Sequence, residues 1–300
     1  MVKEAWKLKI PVKIVLADSD VLSVEQPPPL YFMLPRVSYL YTLVPQCLAR
    51  LDRYLGAGPH TPWLEFRHLP LRWSVPVGVL FDLLARPDDL PWMLTIRFSG
   101  YPLAAMPPCM PETSLKAAFL NSLKEATFIL RGTAGRVMEM AAGSQTELWS
   151  AVTRADAAAY AEAAASLQLS PGSWRGRPPS LPVRILACEA GGVPGSWRGV
   201  FYSSRPVAIS RGGDETEGEG EDSAGPSGLS LGQALDGILR EADLCERPGP
   251  EEADCSPVPS PRPYTATVCG LTPAPETSLA TLYSSCAAGD GFLYVAVHLA

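Results

Sequence analysis

Lysine and histidine are scarce in this chain, and their scarcity limits the chemistry that it can carry. Only six of the 25 lysine and arginine side chains are lysines, and histidine occurs three times in 300 residues. Four lysines fall within residues 3–13, which leaves Lys116 and Lys124 for any reaction that needs a lysine amine in the body of the chain. The seven cysteines form no Cys-x-x-Cys pair, and with so few histidines a Cys/His zinc site is not expected.

Excess positive charge and long hydrophobic runs are also lacking. The net charge is −6, whereas a generic nucleic-acid-binding protein would carry a basic surface. No apolar run approaches the roughly 18 residues of a transmembrane helix, and the first residues lack the apolar segment of a signal peptide. The odd number and irregular spacing of the cysteines are typical of a reduced intracellular protein. We therefore expect a protein of the cell interior that needs no metal or cofactor.

Proline, by contrast, is abundant, and its clusters mark the boundaries of the predicted domains. Between them, residues 10–104 show the order strand, strand, helix, strand, strand, short helix, strand, which is the order of a ubiquitin-like β-grasp domain. Residues 1–9 are interpreted as an N-terminal helix or tail. The expected strands lie at 10–16, 31–35, 63–68, 71–73 and 93–99, and the expected helices at 38–55 and 77–85.

The middle of the chain, residues 112–169, carries no strand pattern and predicts a helix-rich domain. Two helices are expected, at about 113–130 and 144–168, separated by Gly132 and Gly135. The second is rich in alanine, which favours a helix intrinsically.

A second α/β unit is predicted at residues 181–300, after a Pro-, Gly- and Ser-rich linker at 170–180. Its order of elements repeats that of the first unit. Inserts at 211–228 and 245–263 are acidic or Pro-rich with few large apolar side chains, and we expect them to be disordered. The expected fold class is therefore α+β, with two ubiquitin-like β-grasp domains flanking a helix-rich domain. The expected strands lie at 181–188, 199–209, 264–270 and 292–299, and the expected helices at 230–242 and 276–287.

Several segments are similar to the autophagy protein 5 family. The similarity is dense over residues 31–98, in YFMLPRVSYL, PLRWSVPVGVLFDLLA and LPWMLTIRF. NSLKEA (121–126) resembles the family's acceptor segment, and Glu147, Leu148 and Trp149 match the helix that follows it. Further matches in order and spacing are LPVRIL (181–186), SRPV (204–207), SLGQAL (230–235) and the final CGLTPAPETSLATLY and FLYVAVHL.

The resemblance implies a conjugation scaffold rather than an enzyme. It implies that Lys124, within NSLKEA, is joined by an isopeptide bond to the C-terminal glycine of the ubiquitin-like autophagy protein 12. The conjugate would bind the N-terminal helix of autophagy protein 16 and, through the conjugating enzyme for autophagy protein 8, promote transfer of that protein to phosphatidylethanolamine. The implied location is the cytoplasm, with peripheral recruitment to the phagophore assembly site membrane and no nucleic-acid partner.

The helical pattern around the two internal lysines points to the same acceptor. At 100° per residue, Leu115, Phe119 and Leu123 belong to one apolar stripe; Lys116 lies about 60° from its centre and Lys124 about 140°. Lys124 should therefore project into solvent, whereas Lys116 should be partly held along the edge of the core. A surface lysine on a helix is most often only a solvated charge, and it is the resemblance that makes Lys124 the candidate.

Two other functions compete with this interpretation. A non-covalent adaptor built from ubiquitin-like modules would use the same fold without an attached partner. An unrelated enzyme is disfavoured, because the sequence has no Gly-rich phosphate loop, metal-ligand spacing or catalytic triad. The cysteines are interpreted as small buried hydrophobic side chains, with Cys188 and Cys269 in strands and Cys286 in a helix. The sequence leaves Arg36 as either a partner contact or a structural cap, and Asp82 as a surface or helix-packing residue.

Overall fold

The computed structural model describes most of the chain in seven segments, with gaps between them. The insert 211–228, nearly all of the insert 245–263, and residues 170–179 of the expected linker lie outside the described residues, as do residues 1–4. The segments are residues 5–106, 112–169, 180–189, 197–209, 229–242, 244 and 263–300.

The N-terminal part folds as a five-stranded sheet covered on one face by helices. Strand β1 (Lys9–Leu16) pairs antiparallel with β2 (Leu30–Pro35) and parallel with β5 (Trp92–Arg97). The order is β2-β1-β5-β3-β4, so β5 is the middle strand. Alternate β1 residues are buried, because one face of the strand meets the helices and the other faces outward. The elements are β1 (Lys9–Leu16), β2 (Leu30–Pro35), α1 (Val44–Leu51), β3 (Trp63–Phe66), β4 (Leu69–Pro70), α2 (Val77–Leu84) and β5 (Trp92–Arg97).

Two details of this sheet differ from the sequence-based expectation. The helix expected at 38–55 is a shorter α1 flanked by 3₁₀ turns at Leu40–Leu43 and Asp52–Tyr54, with Pro45 in its first turn, where a missing N–H does no harm. The prediction of a strand at 71–73 is wrong, because the fourth strand, β4, is Leu69–Pro70. Arg67 and His68 both adopt positive φ, and this tight turn pairs Phe66 directly with Leu69.

The middle of the chain is helical, as expected, but is divided into more helices. The second expected helix, 144–168, is broken where Ala155 takes a left-handed conformation (φ 55°) and the Asp156 carboxylate accepts the N–H groups of Ala158 and Ala159. That carboxylate is an N-cap, which starts a new helix. The helices are α3 (Glu112–Arg131), α4 (Gly135–Met138), α5 (Ala142–Arg154) and α6 (Ala157–Ala163), followed by a 3₁₀ turn at Ala165–Leu167.

The C-terminal part contains a four-stranded sheet of the same design, with a central strand parallel to the last. Its order is β7-β6-β9-β8. The Ser230 side chain caps α7 and Gln233 returns the bond, which is a capping box. Cys269 is not in a strand, because β8 ends before it and a turn at positive φ follows. The elements are β6 (Ser180–Glu189), β7 (Phe201–Ala208), α7 (Leu231–Glu241), β8 (Tyr264–Thr267), α8 (Leu279–Cys286) and β9 (Leu293–Leu299).

Strands β6 and β9 are buried on both faces, which places them at the centre of the molecule. One face of β6 packs on α7 and α8 through Val183 and Ile185, and the other joins the core of the first sheet and the helices through Leu186 and Cys188. Strands buried on both sides are nearly continuous hydrophobic runs. The fold is α+β with ubiquitin-like domains, as the sequence predicted. Within the described ranges, no helix is long and apolar enough to cross a membrane.

Candidate functional site

Helix α3 carries both internal lysines and packs one face into the core. Leu115, Phe119, Leu123, Ala126 and Leu130 are all buried, which is the stripe that the helical pattern predicts. The Thr127 hydroxyl donates to the carbonyl of Leu123 within the helix at 2.7 Å. The orientation of α3 is therefore fixed by the apolar face, and the residues opposite that face are presented outward.

Lys124 lies on the outward side of α3. The residue is partly rather than fully exposed, and its Nζ is 3.5 Å from Oδ1 of Asn121, one turn earlier. It forms no ion pair with any described residue. Phe128, one turn later on the same side, is 59% exposed. Lys124 and the exposed Phe128 thus share the outward side of α3.

Lys116 differs from Lys124 in its contacts rather than in its exposure. Both residues are partly exposed, but Lys116 Nζ donates to Oγ1 of Thr146 on α5 at 2.7 Å. Thr146 in turn donates to the carbonyl of Ala142 at 2.8 Å. This links Lys116 to the neighbouring helix, as expected for the lysine at the edge of the core.

Two neighbours of Lys124, Ser122 and Glu125, are held by Arg184 of β6. Arg184 Nη1 lies 3.0 Å from Ser122 Oγ, and Arg184 Nη2 lies 2.9 Å from Glu125 Oε2. The other carboxylate oxygen of Glu125 accepts the Ser204 hydroxyl at 2.7 Å. Glu125 is therefore bound to the second sheet on both oxygens.

The same guanidinium continues into a buried cluster. Arg184 Nη1 also donates to Asp290 at 3.1 Å and to the Tyr294 hydroxyl at 2.9 Å, and the guanidinium stacks 3.6 Å from the ring centre of Phe292. Tyr294 donates to Asp290 at 2.7 Å. Arg184 thus joins α3 to the centre of the second sheet.

In this cluster, burial and the neighbouring charged groups shift the pKa values in opposite directions. Burial raises the pKa of Asp290, and Arg184 and the Tyr294 hydroxyl oppose the rise. Burial would lower the pKa of Arg184, but Tyr294 and Asp290 outweigh it and hold the guanidinium protonated. Sequence reasoning missed Arg184; the available signal was a lone charge inside the apolar run LPVRIL.

A second junction joins the two sheets through Arg36 and Asp82. Arg36 Nη2 forms an ion pair with Asp82 on α2 and donates to the carbonyl of Gly78 at 3.3 Å. Asp82 also accepts the backbone N–H of Gly270, from the turn after β8, at 2.9 Å. Burial raises the pKa of Asp82, and Arg36 opposes it. Arg36 is thus a structural contact between domains, and Asp82 is buried rather than on the surface.

Two glycines make room for the Arg36 side chain. A Cβ on Gly78 would lie 2.9 Å from Arg36 Cβ, and a Cβ on Gly270 would lie 3.0 Å from the guanidinium carbon. Gly270 also has φ +80°, which other residues adopt only with strain. Among the described residues, no cluster of three histidine, cysteine or acidic side chains could hold a metal ion.

Comparison with known proteins identifies relatives of this chain, and two family models match its N-terminal and middle parts. Residues 5–98 match the family described as autophagy protein ATG5, UblA domain, and residues 112–170 match autophagy protein ATG5, alpha-helical bundle region. Autophagy protein 5 of Oryza sativa subsp. indica is 34% identical over 242 residues, covering 70% of this chain and 63% of that protein. Autophagy protein 5 of Arabidopsis thaliana is 40% identical over 168 residues, covering 56% and 50%. The chain therefore spans less than two thirds of these plant relatives.

A fungal relative and a solved structure match over nearly the whole chain. Autophagy protein 5 of Neosartorya fischeri is 28% identical over 323 residues, covering 99% of this chain and 94% of that protein. The crystal structure of Kluyveromyces marxianus Atg5 superposes with a TM-score of 0.69 at 21% identity, covering 98% of each chain. At that identity the structural match establishes a shared fold.

Proposed function

This chain belongs to the autophagy protein 5 family, and from that premise we propose that it acts in autophagy as a non-catalytic conjugation scaffold. In this proposal Lys124 is joined by an isopeptide bond to the C-terminal glycine of autophagy protein 12. The conjugate then binds the N-terminal helix of autophagy protein 16 and promotes lipidation of autophagy protein 8. The single observation that carries the choice of acceptor is the outward position of Lys124 on α3 within NSLKEA.

The contacts of the two lysines support Lys124 over Lys116. An acceptor amine must reach a thioester in the active site of another protein. A lysine side chain can extend that far only if hydrogen bonds or ion pairs do not hold its amine against its own protein. The Lys124 amine has a single long contact, to Asn121 at 3.5 Å, whereas Lys116 is bonded to α5 at 2.7 Å. The exposed ring of Phe128 offers apolar surface for the attached protein to cover.

The proposed reaction forms one bond and breaks another. A neutral lysine amine attacks the thioester carbonyl, the C–N bond of the amide forms, the C–S bond breaks, and a thiolate leaves. A free lysine amine is almost wholly protonated at neutral pH, so a base must take a proton from it. Glu125 adjoins Lys124 but both its oxygens are engaged by Arg184 and Ser204. We therefore assign proton removal to the conjugating enzyme.

Family membership supports the proposed partners. The amphipathic N-terminal helix of autophagy protein 16 would dock in a groove between the domains, in the manner of helix-in-groove recognition. The conjugate would engage the conjugating enzyme for autophagy protein 8 and transfer that protein to phosphatidylethanolamine. The scaffold would act in the cytoplasm and be recruited peripherally to the phagophore assembly site membrane. Failure of the purified chain to retain a peptide of that helix in a pull-down would contradict this part of the proposal.

Conjugation assays on matched lysine variants test the acceptor. With activating enzyme, conjugating enzyme and autophagy protein 12 present, Lys124→Arg should abolish the covalent adduct seen on a denaturing gel. Lys116→Arg is the matched control, since it lies on the same helix, and should leave the adduct unchanged. Peptide mass spectrometry of the unaltered adduct should place the glycine remnant on Lys124.

Two outcomes would overturn the assignment. An adduct that persists in Lys124→Arg would move the acceptor elsewhere. A chain that forms no adduct but still retains the helix peptide would favour the non-covalent adaptor. Unchanged circular dichroism and thermal midpoint in both variants would show that loss of the adduct does not come from unfolding.

A further inference from the structure

Two thiols meet at the junction between the sheets. Cys269 lies in the turn after β8 at φ +52°, and Cys286 is the last residue of α8. The Cys269 thiol donates to the backbone carbonyl oxygen of Cys286 at 3.3 Å, which places it against the last residue of α8. Both residues are partly exposed, unlike the fully buried Cys47 and Cys188.

The pair borders a small cavity. Its volume is about 30 Å³, and its walls include the two cysteines, Arg36 and Asp82. A cavity needs roughly 10–15 Å³ to hold one water molecule, so a molecule of similar size, such as hydrogen peroxide, fits here. The cavity therefore has room for a small oxidant beside Cys269, Cys286 and Arg36.

The contact between the two cysteines shifts their pKa values in opposite directions. The hydrogen bond from Cys269 lowers the pKa of Cys286, although burial opposes it. The same contact, followed by burial, raises the pKa of Cys269. By contrast, burial raises the pKa of Cys47 to about 12 and of Cys188 to about 11. Because the thiolate is the nucleophilic form, the lowered pKa favours Cys286 as the attacking thiol among the four described cysteines.

We propose that Cys286 and Cys269 are a peroxide-reactive pair that closes to a reversible intramolecular disulfide. The Cys286 thiolate attacks one oxygen of hydrogen peroxide, the O–O bond breaks, and a sulfenic acid and hydroxide form. The Cys269 sulfur then attacks the sulfenic sulfur, forming the S–S bond; its proton and the departing hydroxyl leave as water. Two thiols are oxidised and one peroxide is reduced, and a dithiol reductant reverses the change.

Oxidation would act on the contact that joins the two sheets. Cys269 precedes Gly270, whose N–H is bonded to Asp82, and Gly270 lies against the Arg36 guanidinium. A disulfide from Cys269 to the end of α8 would constrain this same turn. In this proposal, oxidation of the pair therefore alters the turn through which the second sheet contacts the first.

Peptide mapping of the full-length chain tests the pair. The reduced protein is treated with a small molar excess of hydrogen peroxide, its remaining thiols are blocked with N-ethylmaleimide, and it is digested without reductant. We expect one dominant cross-linked peptide joining Cys269 to Cys286, with a loss of two hydrogens, that disappears after dithiothreitol. Alkylation of both cysteines after treatment, or a dominant cross-link to any other cysteine, would overturn the proposal.

Single serine variants separate the two roles. Cys269→Ser should lose the cross-link and accumulate a sulfenic acid at Cys286 that dimedone traps. Cys286→Ser should lose the cross-link and give no dimedone adduct at Cys269. Cys188→Ser, at a buried thiol, is the control and should leave the cross-link yield unchanged. Equal dimedone labelling of the two single variants would contradict the assigned order of attack.

Discussion

The largely buried Arg184 guanidinium hydrogen-bonds to five side chains, those of Ser122, Glu125, Ser204, Asp290 and Tyr294. Its side chain is 9% exposed and that of Asp290 is 2% exposed. A buried charge that loses its partner keeps the cost of leaving water without the compensating attraction. Arg184 therefore stabilises the fold and, through Ser122 and Glu125, the segment that presents Lys124.

Replacing this residue should destabilise the protein strongly. Arg184→Met keeps most of the side-chain volume but strands the Asp290 carboxylate, and we expect a loss of about 3–5 kcal/mol. Arg205→Met is the control, because the Arg205–Glu241 pair is exposed and worth about 0–1 kcal/mol. Urea unfolding followed by circular dichroism measures both. Equal losses in the two variants would contradict the role given to Arg184.

Arg184 also shows why part of the site was hidden from sequence reasoning. Its partners Ser122 and Asp290 lie 62 and 106 residues away in the chain, so no local sequence pattern predicts these contacts. The outward face of Lys124 could be predicted from the sequence, because the face of a helix depends only on neighbours three and four residues away. Its acceptor role still rests on the resemblance and stays a prediction.

At the scale of elements, strand β1 and the apolar stripe of α3 could be predicted from the sequence, because each depends on a local pattern of apolar residues. The shift of β4 was not readable, since it depends on the backbone turn at Arg67 and His68. The break between α5 and α6 was missed because alanine favours a helix throughout and only the Asp156 cap marks a new start.

The break between α5 and α6 predicts opposite effects for two glycine substitutions. Ala155 adopts a left-handed conformation that is strained for alanine but not for glycine. Ala155→Gly should therefore stabilise the protein by about 0.5–1 kcal/mol. Ala161→Gly, at an exposed position within α6, should destabilise it by about 1 kcal/mol. Differential scanning calorimetry should show thermal midpoints that move in opposite directions. A lower midpoint for both would contradict the strain assigned to Ala155.

At the scale of the whole molecule, the Arg36–Asp82 pair links the sheets through Gly270. Gly270→Ala would push a Cβ to 3.0 Å from the guanidinium carbon at a φ of +80°, so we expect a loss of at least about 1–2 kcal/mol. Gly237→Ala is the control: it is exposed within α7 with open space around it, and should stabilise by about 0.5–1 kcal/mol. Chemical unfolding of the two variants measures the difference, and a neutral Gly270→Ala would show that the junction adapts.

The same junction sets an order of events during synthesis. Asp82 and Gly270 are 188 residues apart. At elongation rates of about 5–20 residues per second, roughly 10 to 40 s separate the translation of the carboxylate from that of its backbone partner. During that interval the nascent first domain can hold Arg36 against Asp82, but water must occupy the place of the Gly270 amide. Docking of the second sheet is therefore a late step that expels this water from a preformed ion pair.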